Sequence, residues 1–328
     1  MGKVLVCGSI AYDNIMDFPG LFNEQILPDK IHALNVSFLV KSMKRVKGGT
    51  APNIAYSLAL LGEKPMILGT AGKDFYEYRD WLDKNGVDTS RIKIVEDDYT
   101  ATCYITTDNV NNQITGFYPG AMALDPQLSL NDMDLTGISL VIIAPTEPEA
   151  MTKWTMECQQ LGISYIYDPG MQIPRLSSKD LKDGIMGAKV AIFNEYEYDL
   201  MKEKTGLSKD EILSNVDVLI VTMGEKGSLL SGRNQMVQVG VAKPMRVVDP
   251  TGAGDAFRAG LVKGYLEGAS LEKMGRYASV SAVYAVENKG ATEHYYTIDE
   301  YKARYKDNYG RSLDCCINIT NKSTLGMP

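Results

Sequence analysis

Residues 249–257 read Asp249-Pro250-Thr251-Gly252-Ala253-Gly254-Asp255-Ala256-Phe257. An extended run at 245–248 precedes them and a helical pattern at 256–266 follows. A glycine-rich turn therefore meets a helix start, where unpaired N–H groups and the positive end of the helix dipole gather anions. Gly252 and Gly254 let backbone approach a bound group with no Cβ in the way. Asp255 stands inside this anion site, and a carboxylate there repels a passively bound phosphate. The placement makes chemical sense if Asp255 takes a proton from an attacking hydroxyl while the amides hold a phosphoryl group in transfer. The competing explanation is a helix capped by Asp or Thr, with glycines serving only the turn. Two glycines, an internal acid and the Ala256-Phe257 continuation together favour the catalytic explanation.

A second glycine pair precedes another helical pattern in Lys47-Gly48-Gly49-Thr50-Ala51-Pro52-Asn53-Ile54-Ala55. Asn53, one turn in, offers both a donor and an acceptor to a pair of hydroxyls. Ser9 and Asp13 follow the first predicted strand toward the same cleft mouth. A carboxylate such as Asp13 accepts two O–H bonds of a vicinal diol at once. Turn formation alone accounts for Gly48-Gly49, and capping for Asp13. Together these residues describe a polyhydroxylated ligand held by acid, amide and backbone.

Apolar runs at 3–7, 65–69, 140–144, 164–167, 190–193 and 218–223 alternate with helical patterns at 52–61, 74–84, 148–161 and 195–204. Continuous Val/Ile runs between amphipathic helices predict parallel strands covered on both faces, in a doubly wound sandwich. Ligand is expected beyond the strand C-termini. Two segments break the rhythm. Residues 11–47 are rich in Pro and Asn and carry a short alternating run at 36–40. Residues 91–120 alternate Thr102, Tyr104 and Thr106 with Cys103 and Ile105, as antiparallel strands with one wet face do. Paired, they predict a small β-sheet lid that keeps water from phosphoryl transfer. The chain is expected to be a single domain over residues 1–328, its lid built from insertions 11–47 and 91–120, with a loosely ordered tail at 311–328.

The bulk properties exclude several partners. A net charge of -7, a pI near 5.1 and the lack of a basic run argue against nucleic acid. Cys7, Cys103, Cys158, Cys315 and Cys316 make no CxxC spacing, so reduced thiols and a cytoplasmic setting are expected. With His32 and His294 as the two histidines, a multi-histidine metal site is excluded. The chain shows no secretory pattern and no apolar run of membrane-spanning length. It contains no GxxxxGK[ST] loop, and Cys7-Gly8-Ser9 does not supply the GxGxxG of a dinucleotide site.

GGTAPNIA at 48–55 and DPTGAGDAF at 249–257 resemble the two signatures of the PfkB (ribokinase-like) carbohydrate kinase family. CGSIAYDNIMDFPG at 7–20, LNVSFLV at 34–40, EYRDWL at 77–82, FYPGAM at 117–122 and FNEYEYDL at 193–200 resemble most closely its bacterial adenosine kinases. The likeness covers residues 4–292 and implies a ribokinase-like three-layer α/β/α sandwich with a mostly parallel sheet and a small β-sheet lid. It implies that Asp255 is the catalytic base and that Gly252, Ala253 and Gly254 form the anion hole for the transferred group. The family's Asn-x-x-Glu motif matches Asn194 and Glu197: Asn194 beside the nucleotide phosphates, Glu197 organising water around Mg²⁺. Thr222, Gly224 and Gly227 match its ATP-contacting turn.

On the acceptor side, the resemblance implies that Ser9, Asp13, Ser37, Gly49 and Asn53 hold a ribose, with Asp13 on the 2′- and 3′-hydroxyls. Phe117 matches a residue that stacks on the purine, and Phe38 is a further candidate. Cys103, Met171 and Gln172 occupy base-side positions where relatives carry an aromatic and two glutamines, so Cys103 and Met171 depart from the pattern. Trp81 and Trp154 are expected in the core. The implied reaction converts ATP and adenosine to ADP and AMP, a purine-salvage step, with ATP and Mg²⁺ as cofactors and room for a monovalent cation. A broad-specificity nucleoside or sugar kinase (ribokinase or fructokinase type) and a non-catalytic nucleoside-binding protein are the competing readings. The intact Asp255 and glycines speak against the second. Relatives that pair through their lids imply a homodimer.

Overall fold

Val4, Leu5, Val6 and Cys7 are all fully buried, as a strand covered on both faces requires. The computed structural model describes residues 2–26 and 32–310, so the tail at 311–328 lies outside the described residues. In chain order its elements are β1 (Lys3–Cys7), β2 (Ala11–Asp17), α1 (Phe22–Gln25), β3 (Ser42–Gly48), α2 (Thr50–Leu60), β4 (Pro65–Gly72) and α3 (Tyr76–Lys84). Then come β5 (Ile92–Val95), β6 (Ala101–Thr107), β7 (Gln113–Tyr118), β8 (Ile138–Ile143), α4 (Pro148–Leu161), β9 (Tyr165–Tyr167), α5 (Ser178–Ile185) and β10 (Val190–Asn194). The chain continues with α6 (Glu195–Thr205), α7 (Lys209–Asn215), β11 (Val218–Thr222), β12 (Ser228–Ser231), β13 (Met236–Val239), α8 (Ala253–Leu266), α9 (Leu271–Val286) and α10 (Ile298–Tyr309).

A nine-stranded sheet runs β13-β12-β11-β10-β9-β8-β1-β4-β5. It is parallel from β11 to β5, with β12 and β13 added antiparallel at one edge. Alternate β1 side chains feed two cores. Val4 and Val6 pack with α2, α8 and α9; Leu5 and Cys7 pack with α4, α5 and α7. The result is a three-layer α/β/α sandwich. Trp154 is fully buried in the second core, and Trp81 packs against the first. A separate four-stranded sheet, β3-β2-β6-β7, leaves the large one directly after β1. Among the described residues no helix is long and apolar enough to cross a membrane.

Three local expectations are corrected. Residues 245–248 are not a strand: Met245 and Val247 are 83% and 72% exposed, so no apolar face is buried, and Val248 and Asp249 donate instead to the Val286 carbonyl. Residues 36–40 are irregular because Phe38 turns into a ring cluster with Phe18 and Phe22; the strand is the charged β3 that follows. The segment 91–120 divides, with β5 extending the large sheet and only β6 and β7 joining the small one. Within the small sheet β2 and β6 pair in parallel, because the chain crosses the large sheet between them.

At the C-terminal ends of the central strands lies Asp125, 1% exposed on a 3-10 turn (Gly120–Gln127). Its Oδ1 accepts the Thr70 N–H at 2.8 Å, and its Oδ2 accepts the Thr146 hydroxyl at 2.5 Å. Thr70 belongs to β4 and Thr146 follows β8, so one carboxyl clamps the two strands that flank β1. Burial pushes Asp125 up from 3.8 to about 7. A raised acid is favoured protonated in the fold, so its stabilisation is complete at acid pH and is lost as pH rises through about 7. Asp125→Asn should flatten the fall in melting temperature between about pH 4 and pH 7. Thermal melts across that range check this, and an unchanged slope would assign the effect elsewhere.

Candidate active site

Helix α8 starts at Gly252, whose φ of 77° and position, 2.5 Å from Ala291 Cα for an added Cβ, admit only glycine. No side chain caps this helix. The Ala253 N–H is taken by the Pro250 carbonyl at 3.1 Å, whereas the Gly252, Gly254 and Asp255 amides have no partner among the described residues. The open donors of the turn are thus Gly252, Gly254 and Asp255, and Ala253 contributes shape. Three unpaired N–H groups at a helix start are a ready anion cradle.

Asp255 is half-buried in this turn. Its Oδ2 accepts a hydrogen bond from Asn53 Nδ2 at 2.8 Å. Burial pushes its carboxyl up to about 6, against the opposing pull of Arg258 and Asn53. Asn53 is 7% exposed, and its Oδ1 has no hydrogen-bond partner among the described residues, leaving a buried acceptor for a ligand hydroxyl. Asn53 lies in the first turn of α2, which begins at Gly49. Gly49 has φ 93°, and a Cβ there would lie 2.5 Å from the Ser9 carbonyl oxygen. The Ser9 hydroxyl accepts the Thr50 N–H at 3.2 Å, so it fastens the end of β1 to the start of α2.

Asp13, Cys103 and Phe117 stand in one cross-strand row with Val46, hence on one face of the small sheet. Burial raises Asp13, and a Cβ on Gly48 would lie 2.7 Å from Asp13 Oδ2. Phe117 is 52% exposed, an uncovered ring. Ser37 is exposed in the irregular segment before β3 and makes no hydrogen bond among the described residues. Phe38 belongs to the ring cluster with Phe18 and Phe22. Met171 is 74% exposed, and the adjacent Gln172 Oε1 accepts from Arg175 Nη1 at 3.2 Å.

In the large sheet, Asn194 and Thr222 end β10 and β11 in register. Asn194 caps α6: its Oδ1 accepts the Glu197 N–H at 2.8 Å, and Glu197 Oε2 accepts the Asn194 N–H at 2.8 Å. Glu197 Oε1 makes no hydrogen bond among the described residues. Burial raises Glu197, with Asp168 adding to the rise and Arg258 opposing it. Gly224 and Gly227 bracket the 3-10 turn after β11. Among the described residues no group of three or more His, Cys, Asp or Glu could hold a metal ion. A divalent cation here would rest on ligand oxygens and water, and one free Glu197 oxygen fits that indirect role.

Two residues escaped sequence reasoning. Arg258 donates through Nε and Nη2 to both oxygens of Asp168, with Nη2 to Oδ1 at 2.7 Å. Their side chains are 15% and 1% exposed. The signals available were an acid at a strand end, Asp168-Pro169-Gly170, and an arginine three residues after Asp255 on the same helix face.

Residues 3–297 match the family described as pfkB family carbohydrate kinase. The chain is 30% identical over 306 residues to a nucleoside kinase of Methanocaldococcus jannaschii, covering 93% of this chain and 97% of that protein. It is 25% identical to the ribokinase of Bacillus subtilis over 89% of this chain and 95% of that one. The nucleoside kinase of Burkholderia thailandensis, solved in complex with inosine, superposes with a TM-score of 0.84 at 39% identity, over 94% of this chain and 99% of that one. The same enzyme has been solved in complex with ADP-inosine.

A base at Asp255 fails when protonated, so turnover should fall tenfold per unit as pH drops below about 6. Asp255→Asn should fold normally and lose at least about a hundredfold in kcat. Steady-state kinetics from acid to neutral pH, with circular dichroism of the variant, check both. Near wild-type kcat in Asp255→Asn would remove the base assignment.

Proposed function

The chain belongs to the pfkB family of carbohydrate kinases, and on that premise we propose that it transfers the γ-phosphoryl group of ATP to the 5′-hydroxyl of a purine nucleoside. Asp255 accepts the hydroxyl proton while the oxygen attacks the γ-phosphorus in line. The open amides of Gly252, Gly254 and Asp255 carry charge on the moving group. Asn194, Thr222, Gly224 and Gly227 line the nucleotide side, and Glu197 orders water around Mg²⁺. When bound, Mg²⁺ neutralises charge on the phosphate oxygens.

The observation that carries this reading is the Asn53–Asp255 hydrogen bond at 2.8 Å. It joins the turn suited to sugar hydroxyls to the carboxylate inside the anion turn, as transfer from phosphate to hydroxyl demands. Ser9, Asp13, Gly49 and Asn53 hold the ribose, with Asp13 on the 2′,3′-diol. Phe117 stacks on the base. The small sheet acts as the lid. Adenosine is one candidate acceptor. Inosine bound to a 39%-identical enzyme, together with Cys103 and Met171 at the base-side positions, favours a broader purine range. A sugar kinase is the second reading, supported by the 25%-identical ribokinase.

Free Cys7, Cys103 and Cys158 support a cytoplasmic setting. The face of the small sheet opposite the Asp13 row carries Met43, Tyr104 and Ile114, 66%, 48% and 41% exposed, and a second copy of the chain is the natural cover. Light scattering should give a dimer mass, reduced to a monomer by Met43→Glu; a wild-type monomer would dismiss the pairing.

A panel of adenosine, inosine, guanosine, ribose and fructose with Mg-ATP separates the two substrate readings. Nucleosides should exceed free sugars in kcat/KM by at least about a hundredfold, the effect of leaving a base pocket unfilled. Asp13→Ala should raise nucleoside KM at least about tenfold and leave ATP KM within about twofold. Equal shifts in both KM values would undo the diol role, and ribose preferred over nucleosides would establish the sugar kinase.

A further inference from the structure

Arg258 lies one helical turn beyond Asp255, on the same face of α8. Its planar fork offers five N–H donors, and the bidentate grip on Asp168 engages Nε and one Nη2 hydrogen. Nη1 makes no hydrogen bond among the described residues. It lies against the anion turn, since a Cβ on Gly254 would fall 2.9 Å from Nη1. Asp168 follows β9 directly, and its N–H is tied to the Ile143 carbonyl at 2.9 Å, so the anchor belongs to the rigid sheet.

Asp255 is faced by Asn53 from α2, Arg258 from its own helix, Asp168 from the end of β9 and Tyr78 from α3. Glu197 on α6 acts on the same guanidinium. Three acids, Asp168, Glu197 and Asp255, thus converge on a cleft that must also admit a polyanion, and Arg258 is the cation that all three share. A helix-borne lysine would supply charge without orientation, whereas the fork supplies both.

We propose that Arg258, anchored by Asp168, is a positioning residue for phosphoryl transfer that holds the first turn of α8 in register with the sheet and sets the charge that the neighbouring Asp255 faces. The inference rests on the kinase reading, because the transfer defines what is positioned. Arg258 lowers the proton affinity of Asp255 and Asp168 raises it, with Arg258 the larger influence.

The test uses the full chain with Asp168→Asn/Arg258→Met, which removes both buried charges together, and Arg258→Lys, which keeps the charge and loses the fork. The readouts are kcat and KM against pH, and the Asp255 carboxyl titration by ¹³C NMR, assigned by its loss in Asp255→Asn. The double variant should lose at least about tenfold in kcat with both KM values within about threefold. Its acid limb and its Asp255 titration should both move up by about one pH unit. Arg258→Lys should keep the wild-type limb while kcat falls. Wild-type kcat and an unmoved titration in the double variant would overturn the proposal; if that variant does not fold, full kcat in Arg258→Lys would. Absent turnover in the wild type would instead defeat the kinase reading, and the titration would still judge Arg258.

Discussion

The Asn53–Asp255 hydrogen bond spans 202 positions of sequence and depends on almost everything else in the fold. It forms only if α2 and α8 lie side by side with their N-termini at one level. That in turn requires two glycines pressed onto foreign backbone, Gly49 onto Ser9 and Gly252 onto Ala291. A carboxylate in such a position is poorly solvated, and burial drives its affinity for protons upward. The amide donor and the guanidinium one turn away restrain that rise, leaving Asp255 ionised at neutral pH yet basic enough to accept a proton. Breaking the Arg258–Asp168 pair on one side would leave a buried charge uncompensated, at a cost of about 3–5 kcal/mol. That cost sets a structural penalty beside any catalytic one.

The candidate site residues divide by charge. On one side the unpaired amides of the α8 turn, the capped end of β10 and the glycine turn after β11 present positive potential or bare backbone. On the other, Asp13 and the open oxygen of Asn53 present acceptors beside the exposed ring of Phe117. A phosphate suits the first surface, and a hydroxylated molecule with a flat apolar end suits the second. Cys103, in the same row as Asp13, and the exposed Met171 add no charge to that second surface.

The layers of the sandwich were legible in the sequence because parallel strands buried on both faces read as unbroken Val/Ile runs, and β8, β10 and β11 are of that kind. Both glycine turns were legible because their chemistry is local. The charged β3 was not, since a strand in a two-sided, largely wet sheet carries no apolar stripe, and the alternation at 36–40 drew attention away from it. The Arg258–Asp168 pairing was not legible in one dimension: its members lie 90 residues apart, and the position of each says nothing of the other. Glu197 was read for water around a metal ion, and the structure shows it in a reciprocal cap with Asn194 that the reading did not include. The Ser9 hydroxyl likewise closes a structural bond to Thr50 that no pattern in the chain foretells.

The role of Asp255 as proton acceptor is tested most directly by a crystal structure holding a nucleoside and a non-hydrolysable ATP analogue together. An Asp255 carboxyl oxygen within about 3 Å of the ribose 5′ oxygen, with the γ-phosphorus on the far side of that oxygen, is the expected result. A carboxyl more than about 5 Å from that oxygen, with no water between them, would contradict it.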